Sequence, residues 1–413
     1  MSKKIHYSWV ILAMCTLAVF GSLGLARFGY SIILPSMQKG LSLDNTQAGT
    51  LATFNLIGYV TLAAIGGALA ARFGPRIVIT VGLVIAGAGM FMTGLAGSFM
   101  VAVAWRTVTG IGSGASNVPA MGLLSSWFGP RRRGMASGVA VAGSSIALIV
   151  LGPLIPFVIA SYQNNGWRVS WFVLSIMTLI VAITGYLLLR NRPAEKGLKP
   201  LGDKSKETDT AAMEDPLHWG SVYKSPIVWL LGFIYIAFGF SYIIYMTFFV
   251  KFLMNEGGYT QASAGSLFMI MGWFSLSCGL IWGGISDHIG RKWALIIVYI
   301  IQAIAFSLFA AWAVPFGFTI SAILFGLTAW SIPAIMAATC GDILNTRMAP
   351  AALGFITLFF GLGQALGPAV AGRLADLSGS FHSSFLLAGG VALCGAFGSL
   401  LIPAKHGNAR FRT

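Results

Sequence analysis

Hydrophobic residues in this chain come in twelve long runs separated by short polar breaks. The runs cover approximately 8–38, 46–71, 76–97, 99–126, 132–161, 168–190, 226–254, 260–285, 292–314, 317–344, 348–375 and 381–403. Each has the length a helix needs to cross a bilayer, about 20 apolar residues. The pattern predicts an all-α membrane protein with twelve transmembrane helices. Only one polar segment is long. Residues 191–225 mix both charge signs with few apolar residues and three prolines. This segment reads as a partly disordered cytoplasmic linker between two six-helix units, 1–190 and 226–413.

Composition narrows the class. Of 413 residues, 57% are hydrophobic and 9% charged, and the mean hydropathy is +0.82. So few charges could not cover a soluble protein of this length. The 52 glycines suit helices that pack closely in lipid. Cys15, Cys278, Cys340 and Cys394 lie scattered in apolar runs without metal or redox spacing, and read as small core residues. The first run is too long for a cleavable signal peptide and lacks a small-residue cleavage site. The net charge of +15 does not indicate a nucleic-acid partner, because the basic residues sit in short loops. With the N-terminus inside, the cytoplasmic segments hold twenty of the 26 Lys and Arg, including Arg72, Arg76, Arg133, Arg291 and Arg347. Lys39, Arg168, Lys251 and Arg373 fall on the other side. That bias predicts both termini in the cytoplasm.

Two arginines, Arg27 and Arg106, remain inside the membrane. At 1.5 Å per residue, Arg27 lies about 27 Å along its helix from Trp9 and about 15 Å from Met37. A guanidinium facing lipid at that depth costs at least roughly 2.5–3.5 kcal/mol. Arg27 is therefore expected to face protein or a water-filled cavity, with Tyr30 and Ser31 on the same face. It would either bridge helices through backbone carbonyls or bind an anionic substrate.

The two halves repeat one another. Asn117-Val-Pro119-Ala120 recurs as Ser331-Ile-Pro333-Ala334 and Arg133 as Arg347, both at an offset of 214. Gly152-Pro153 recurs as Gly367-Pro368 at 215, and Gly67 and Arg76 as Gly283 and Lys292 at 216. A weak, steady internal period is what a duplicated transporter leaves behind.

The segment Gly283-Gly-Ile-Ser-Asp287-His-Ile-Gly290-Arg291-Lys292 resembles the signature loop of the major facilitator superfamily, Gly-x-x-x-Asp-Arg/Lys-x-Gly-Arg-Arg/Lys. Gly67-Ala-Leu-Ala-Ala71-Arg72-Phe-Gly74-Pro75-Arg76 repeats it with Ala71 in place of the acid. Arg106-Thr-Val-Thr-Gly110-Ile-Gly112 is similar to the superfamily's Arg-x-x-x-Gly-x-Gly motif. Gly363-Gln-Ala-Leu-Gly367-Pro368 is similar to its Gly-x-x-x-Gly-Pro motif, of which Ser144–Pro153 is a partial copy. Gly166-Trp167-Arg168 and Arg192-Pro-Ala-Glu-Lys-Gly-Leu-Lys-Pro200 resemble the bacterial oxalate/formate and monocarboxylate branch. Helix eight carries no basic residue where carboxylate carriers of that branch commonly place an Arg. The resemblance implies two pseudo-symmetric six-helix bundles with the site between them, a monomeric multi-pass protein and a bacterial inner membrane. It also gives conformational roles to Arg72, Arg76, Arg106, Asp287, Arg291, Pro153 and Pro368.

The 215 offset maps Arg27 onto Tyr242 and Tyr30 onto Tyr245, which predicts an Arg–Tyr face opposite a Tyr–Tyr face. Asn117 and the Trp330-Ser331 pair form a second such set, and Asn55, Tyr59, Ser144, Ser145 and Gln364 are secondary candidates. Ordinary aromatic packing is the alternative for the phenols. Asp and Glu fall near helix ends and the five histidines in loops or near ends, and no hydrolase, phosphate-loop or metal spacing is present. The expectation is a carrier of a small organic anion, a carboxylate, working by rocker-switch alternating access, in exchange or with protons. It is not expected to be an enzyme or to need a cofactor or metal. An exporter of amphiphiles and a transporter-like receptor are the alternatives.

Overall fold

The computed structural model describes residues 6–202, 224–343 and 349–403. Arg347, the middle of the linker and the basic terminal tails lie outside them. Each predicted span is helical: α1 Ser8–Gly40, α2 Asn45–Phe73, α3 Pro75–Leu95, α4 Phe99–Trp127, α5 Pro130–Tyr162 and α6 Gly166–Leu188 in the first half. In the second half they are α7 Pro226–Asn255, α8 Gln261–Ser275 with Cys278–Ile289, α9 Arg291–Ala311, α10 Pro315–Thr328 with Ser331–Ile343, α11 Ala349–Ser378 and α12 His382–Leu400. Nine stretches among the described residues are long and apolar enough to cross a membrane, with α5 and α6 taken together from Arg132, and the two parts of α8 make a tenth.

Local chemistry sets the boundaries. Pro75, Pro226 and Pro315 open α3, α7 and α10, where a missing N–H costs nothing. Asp44 caps α2 by accepting from Gln47 N at 2.6 Å, while Gln47 returns a bond to Asp44 N. Gly74 and Gly290 make the tight turns into α3 and α9 with φ of +85° and +89°, a backbone that side chains with a Cβ avoid.

Three spans depart from the uninterrupted helices expected. In α1, Phe20–Phe28 winds as a wide π-type segment. α8 bends by 41° at the Ser-rich break around Leu276 and Ser277. α10 breaks at Ala329 and Trp330. Pro333 supplies no N–H for the Ala329 carbonyl four residues earlier, and its ring crowds that carbonyl. The freed Trp330 N–H is taken by Cys278 Sγ at 3.3 Å.

Glycines stitch the first half. A Cβ at Gly110 would lie 1.9 Å from the Asn55 carbonyl oxygen on α2, and one at Gly112 would lie 2.3 Å from Ala86 N on α3. The Arg-x-x-x-Gly-x-Gly motif thus lets α4 touch a neighbour on each of two faces. The second half is aromatic instead. Tyr245, Phe249 and Phe252 of α7 pack on Phe306, Phe309, Phe318, Phe325 and Phe385.

The halves meet through α1–α7, α2–α11 and α5–α8. Two of these contacts are pseudo-symmetric. Gly152 on α5 approaches Gly265 on α8, and Gly49 on α2 approaches Pro368 on α11, each so closely that a Cβ would lie within 2.6 Å of the partner's carbonyl oxygen. Pro153 and Pro368 therefore sit beside the two helix crossings that join the halves. Among the described residues α4 and α10 make no comparable contact.

The α1–α2 end is closed by polar bonds. Asp376 of α11 accepts from Asn45 N at 3.1 Å, Thr46 N at 2.7 Å and Thr46 Oγ1 at 2.5 Å, capping α2 from the other half. Lys251 of α7, only 4% exposed, donates to Gln38 and Asn45. At the opposite end the signature loops bond within their own halves. Arg76 Nε donates to Tyr186 O at 2.8 Å, and the exposed Arg72 lies over the neighbouring Phe73 ring. Arg291 pairs with Asp287 at 2.5 Å and with Asp342 at 3.0 Å. Leu201 pairs with Trp127 and Gly129, so the described start of the linker is folded against the first half.

Candidate binding site between the two halves

Arg27 lies at the end of the wide segment of α1. The larger turn lets α1 run close to α5, where a Cβ at Gly24 would lie 2.1 Å from Ala147 Cβ. Arg27 is 8% exposed, and its Nε and Nη2 have no hydrogen-bond partner. Its guanidinium sits 4.3 Å above the Tyr59 ring, a cation–π contact, and beside the Tyr242 hydroxyl. Asn117 Nδ2 donates to Tyr59 Oη at 2.9 Å. On the other side Gln364 donates to Tyr242. A polar chain thus runs from Asn117 and Tyr59 through Arg27 to Tyr242 and Gln364, from α4 and α2 to α7 and α11.

Beside this chain is a narrow cavity with room for about one water, lined by Arg27, Tyr30, Asn55, Arg106, Met246 and Thr247 among others. No described lining residue is a carboxylate. Arg106 is held differently from Arg27. Its Nη1 donates to Ala26 O at 2.8 Å, and its guanidinium lies 4.9 Å from both the Tyr30 and the Trp171 ring centres. Asn55 donates to the Arg106 carbonyl at 2.9 Å, and Tyr30 Oη to Ala48 O at 2.7 Å. Arg106 and Tyr30 are tied to backbone carbonyls and leave one unpartnered nitrogen, Arg106 Nε, whereas Arg27 leaves two, Nε and Nη2.

The expected site residues divide. Arg27, Tyr242 and Asn117 come together, with Tyr30 in the cavity wall. Trp330 is adjacent, its ring 5.5 Å from Phe28 and 6.3 Å from Tyr242, and its Nε1 donates to Ser145 of the first half at 3.0 Å. Two residues are elsewhere. Tyr245 turns into the aromatic core and bonds Ser321 Oγ at 2.7 Å, because three residues along a helix rotate it about 60° from Tyr242. Ser331 is buried between α8 and α10, nearest the Cys278 carbonyl. Tyr59 and Gln364 are more central than the sequence suggested. Both are secondary candidates there, since the 215 offset sets Tyr59 against the apolar Phe274 and Gln364 lies in a motif read as helix packing.

Twelve helices in two pseudo-symmetric bundles, with a polar site where they meet, define a membrane carrier. The chain belongs to the Major Facilitator Superfamily, which it matches over residues 16–275 and 231–412. It is 26% identical over 393 residues to a hexuronate transporter of Bacillus subtilis (strain 168), covering 92% of this chain and 90% of that one. It is 24% identical to a probable sulfoacetate transporter of Cupriavidus necator, covering 97% and 95%. Its fold matches the crystal structure of a D-xylose–proton symporter with a TM-score of 0.74 at 18% identity, over 96% of this chain and 98% of that one. The protein is a multi-pass membrane transporter and not an enzyme.

Proposed function

We propose that this carrier moves a small carboxylate by alternating access across a bacterial inner membrane, with Arg27 as the anion anchor. The observation that carries the reading is the Arg27 guanidinium, buried with two nitrogens unpartnered and no carboxylate in the described cavity lining. Burying an unpaired charge costs several kcal/mol, so an anion is the partner this position favours. A guanidinium offers a planar fork that fits a carboxylate at two points. Tyr59, Tyr242 and Asn117 add polar contacts and shape, and the similarity to hexuronate and sulfoacetate transporters supports an organic anion. On this reading, with termini and basic loops in the cytoplasm, the closed α1–α2 end faces outward. The aromatic residues of the second half pack on one another in its core and so lend no support to the alternative of an exporter of amphiphiles. The test is uptake of labelled galacturonate, lactate and sulfoacetate into liposomes carrying the purified protein. At least one should be transported and Arg27→Ala should abolish it while the variant folds and inserts. Near-normal uptake by Arg27→Ala would overturn the assignment. Liposomes preloaded with the same anion test the coupling. An empty site returns with Arg27 uncompensated, so internal anion should accelerate uptake more than an inward proton gradient does.

A further inference from the structure

Gln364 on α11 is fully buried, and one of its amide atoms, Nε2, donates to the Tyr242 hydroxyl. The other, Oε1, has no partner. Tyr242 cannot turn away, because its ring is stacked 4.7 Å from Phe238 and 5.9 Å from Phe360 and meets Trp330 edge-on at 6.3 Å. A phenol has two lone pairs and one proton. Gln364 Nε2 and the Arg27 guanidinium, which both face the Tyr242 oxygen, are donors and cannot receive that proton. The proton is left for whatever binds at Arg27. With the amide the other way round, the phenol would give its proton to Gln364 and present only lone pairs to an anion.

Resting on the anion reading above, we infer that Gln364 is a positioning residue that holds Tyr242 as a hydrogen-bond donor toward the bound carboxylate. The first half then grips the anion with Arg27 and the second half with the Tyr242 O–H. One substrate group ties both halves, which is what an occluded state requires. Gln364 does this without touching the substrate, and the small-residue motif around it positions it, since Gly363 and Gly367 bring α11 against α7.

The test is calorimetric binding of galacturonate, lactate and sulfoacetate to the full-length protein, using the tightest of the three throughout. Gln364→Met, of similar length but without a donor, should weaken binding roughly five- to tenfold. Gln364→Glu should weaken it further, by roughly a hundredfold, because a carboxylate takes the phenolic proton and repels the anion. In a Tyr242→Phe background, Gln364→Met should change affinity less than about twofold, since the two residues act through one hydroxyl. Equal effects of Gln364→Met with and without the Tyr242 hydroxyl would show a packing role and overturn the inference. So would Gln364→Glu binding as well as Gln364→Met. An Arg27→Ala arm separates the levels. If it loses binding while the Gln364 and Tyr242 effects add, only this inference fails. If it binds like wild type, or wild type binds none of the three, the anion reading fails and takes this inference with it.

Discussion

Arg27 and Arg106 show how differently one residue type is used within one bundle. Arg106 has a carbonyl at 2.8 Å and two aromatic faces, so much of its charge is accommodated by the protein. Arg27 has one ring face and two open nitrogens. Tyr242 and Tyr245 differ in the same way, one at the interface between the halves and one among five aromatic rings of its own half. Tyr245→Phe should therefore leave anion affinity unchanged. It strands the Ser321 hydroxyl, which still donates to Ala305 O at 2.7 Å, so the loss should be modest, about 1 kcal/mol or ~2 °C in the thermal midpoint. Calorimetry and a thermal melt on the same preparation check both halves of this statement, and a tenfold loss of affinity would return Tyr245 to the site. Arg27 itself was legible in the sequence, because a lone charge in an apolar run demands an explanation. Tyr59 was not. Only the crossing of α1 and α2 puts its ring beneath that charge.

Among the elements, α4 is the one whose sequence most directly encodes its contacts. Gly110 faces α2, Gly112 faces α3, and Arg106 one turn earlier reaches α1. Gly110→Ala should push α2 and α4 apart, because its Cβ would fall on a backbone oxygen that cannot rotate away. The cost expected is about 1–3 kcal/mol, with weaker anion binding as Tyr59 and Asn55 shift together. Gly134→Ala, where nothing lies within 4 Å, is the control and should melt like wild type. The breaks in α8 and α10 and the wide segment of α1 were less legible. Pro333 marks the α10 break, yet Pro119, its counterpart in the repeat, sits inside an unbroken α4. A proline states that one backbone bond is missing. Whether the helix bends or breaks there depends on the neighbours, and at the α10 break Cys278 Sγ accepts the Trp330 N–H that the lost turn leaves open.

For the whole molecule, the balance between the two ends governs transport. The signature loops hold their own halves together, and the Asp376 and Lys251 bonds that tie half to half lie at the α1–α2 end. Removing the Asp376 carboxylate takes away a cap from α2 and its contact to Thr46 together. A helix cap is worth about 1 kcal/mol, so Asp376→Ala should favour opening of this end roughly fivefold. Asp376→Asn, which keeps one acceptor, should fall between. Amide hydrogen exchange over residues 44–50 measures this directly, and unchanged exchange in Asp376→Ala would mean the end is held by packing alone.

What the sequence by itself determined is the set of features that follow from local composition. The spans follow from the cost of leaving backbone groups unpaired in lipid, the expected orientation from the placement of Lys and Arg, and the repeat from an offset of 214–216 residues. The signature loops are legible because their glycines must adopt φ near +85° to +89°. Tertiary structure decided the site. Helical spacing can say that Tyr242 and Tyr245 lie within a turn of each other, but not that a 60° difference sends one to the interface and the other to the core. Nor can it pair Arg27 with Tyr59, Tyr242 with Gln364, or Asp376 with the start of α2, because those partners lie tens to hundreds of residues apart. Each meets its partner only when helices cross at glycine contacts a few ångströms wide.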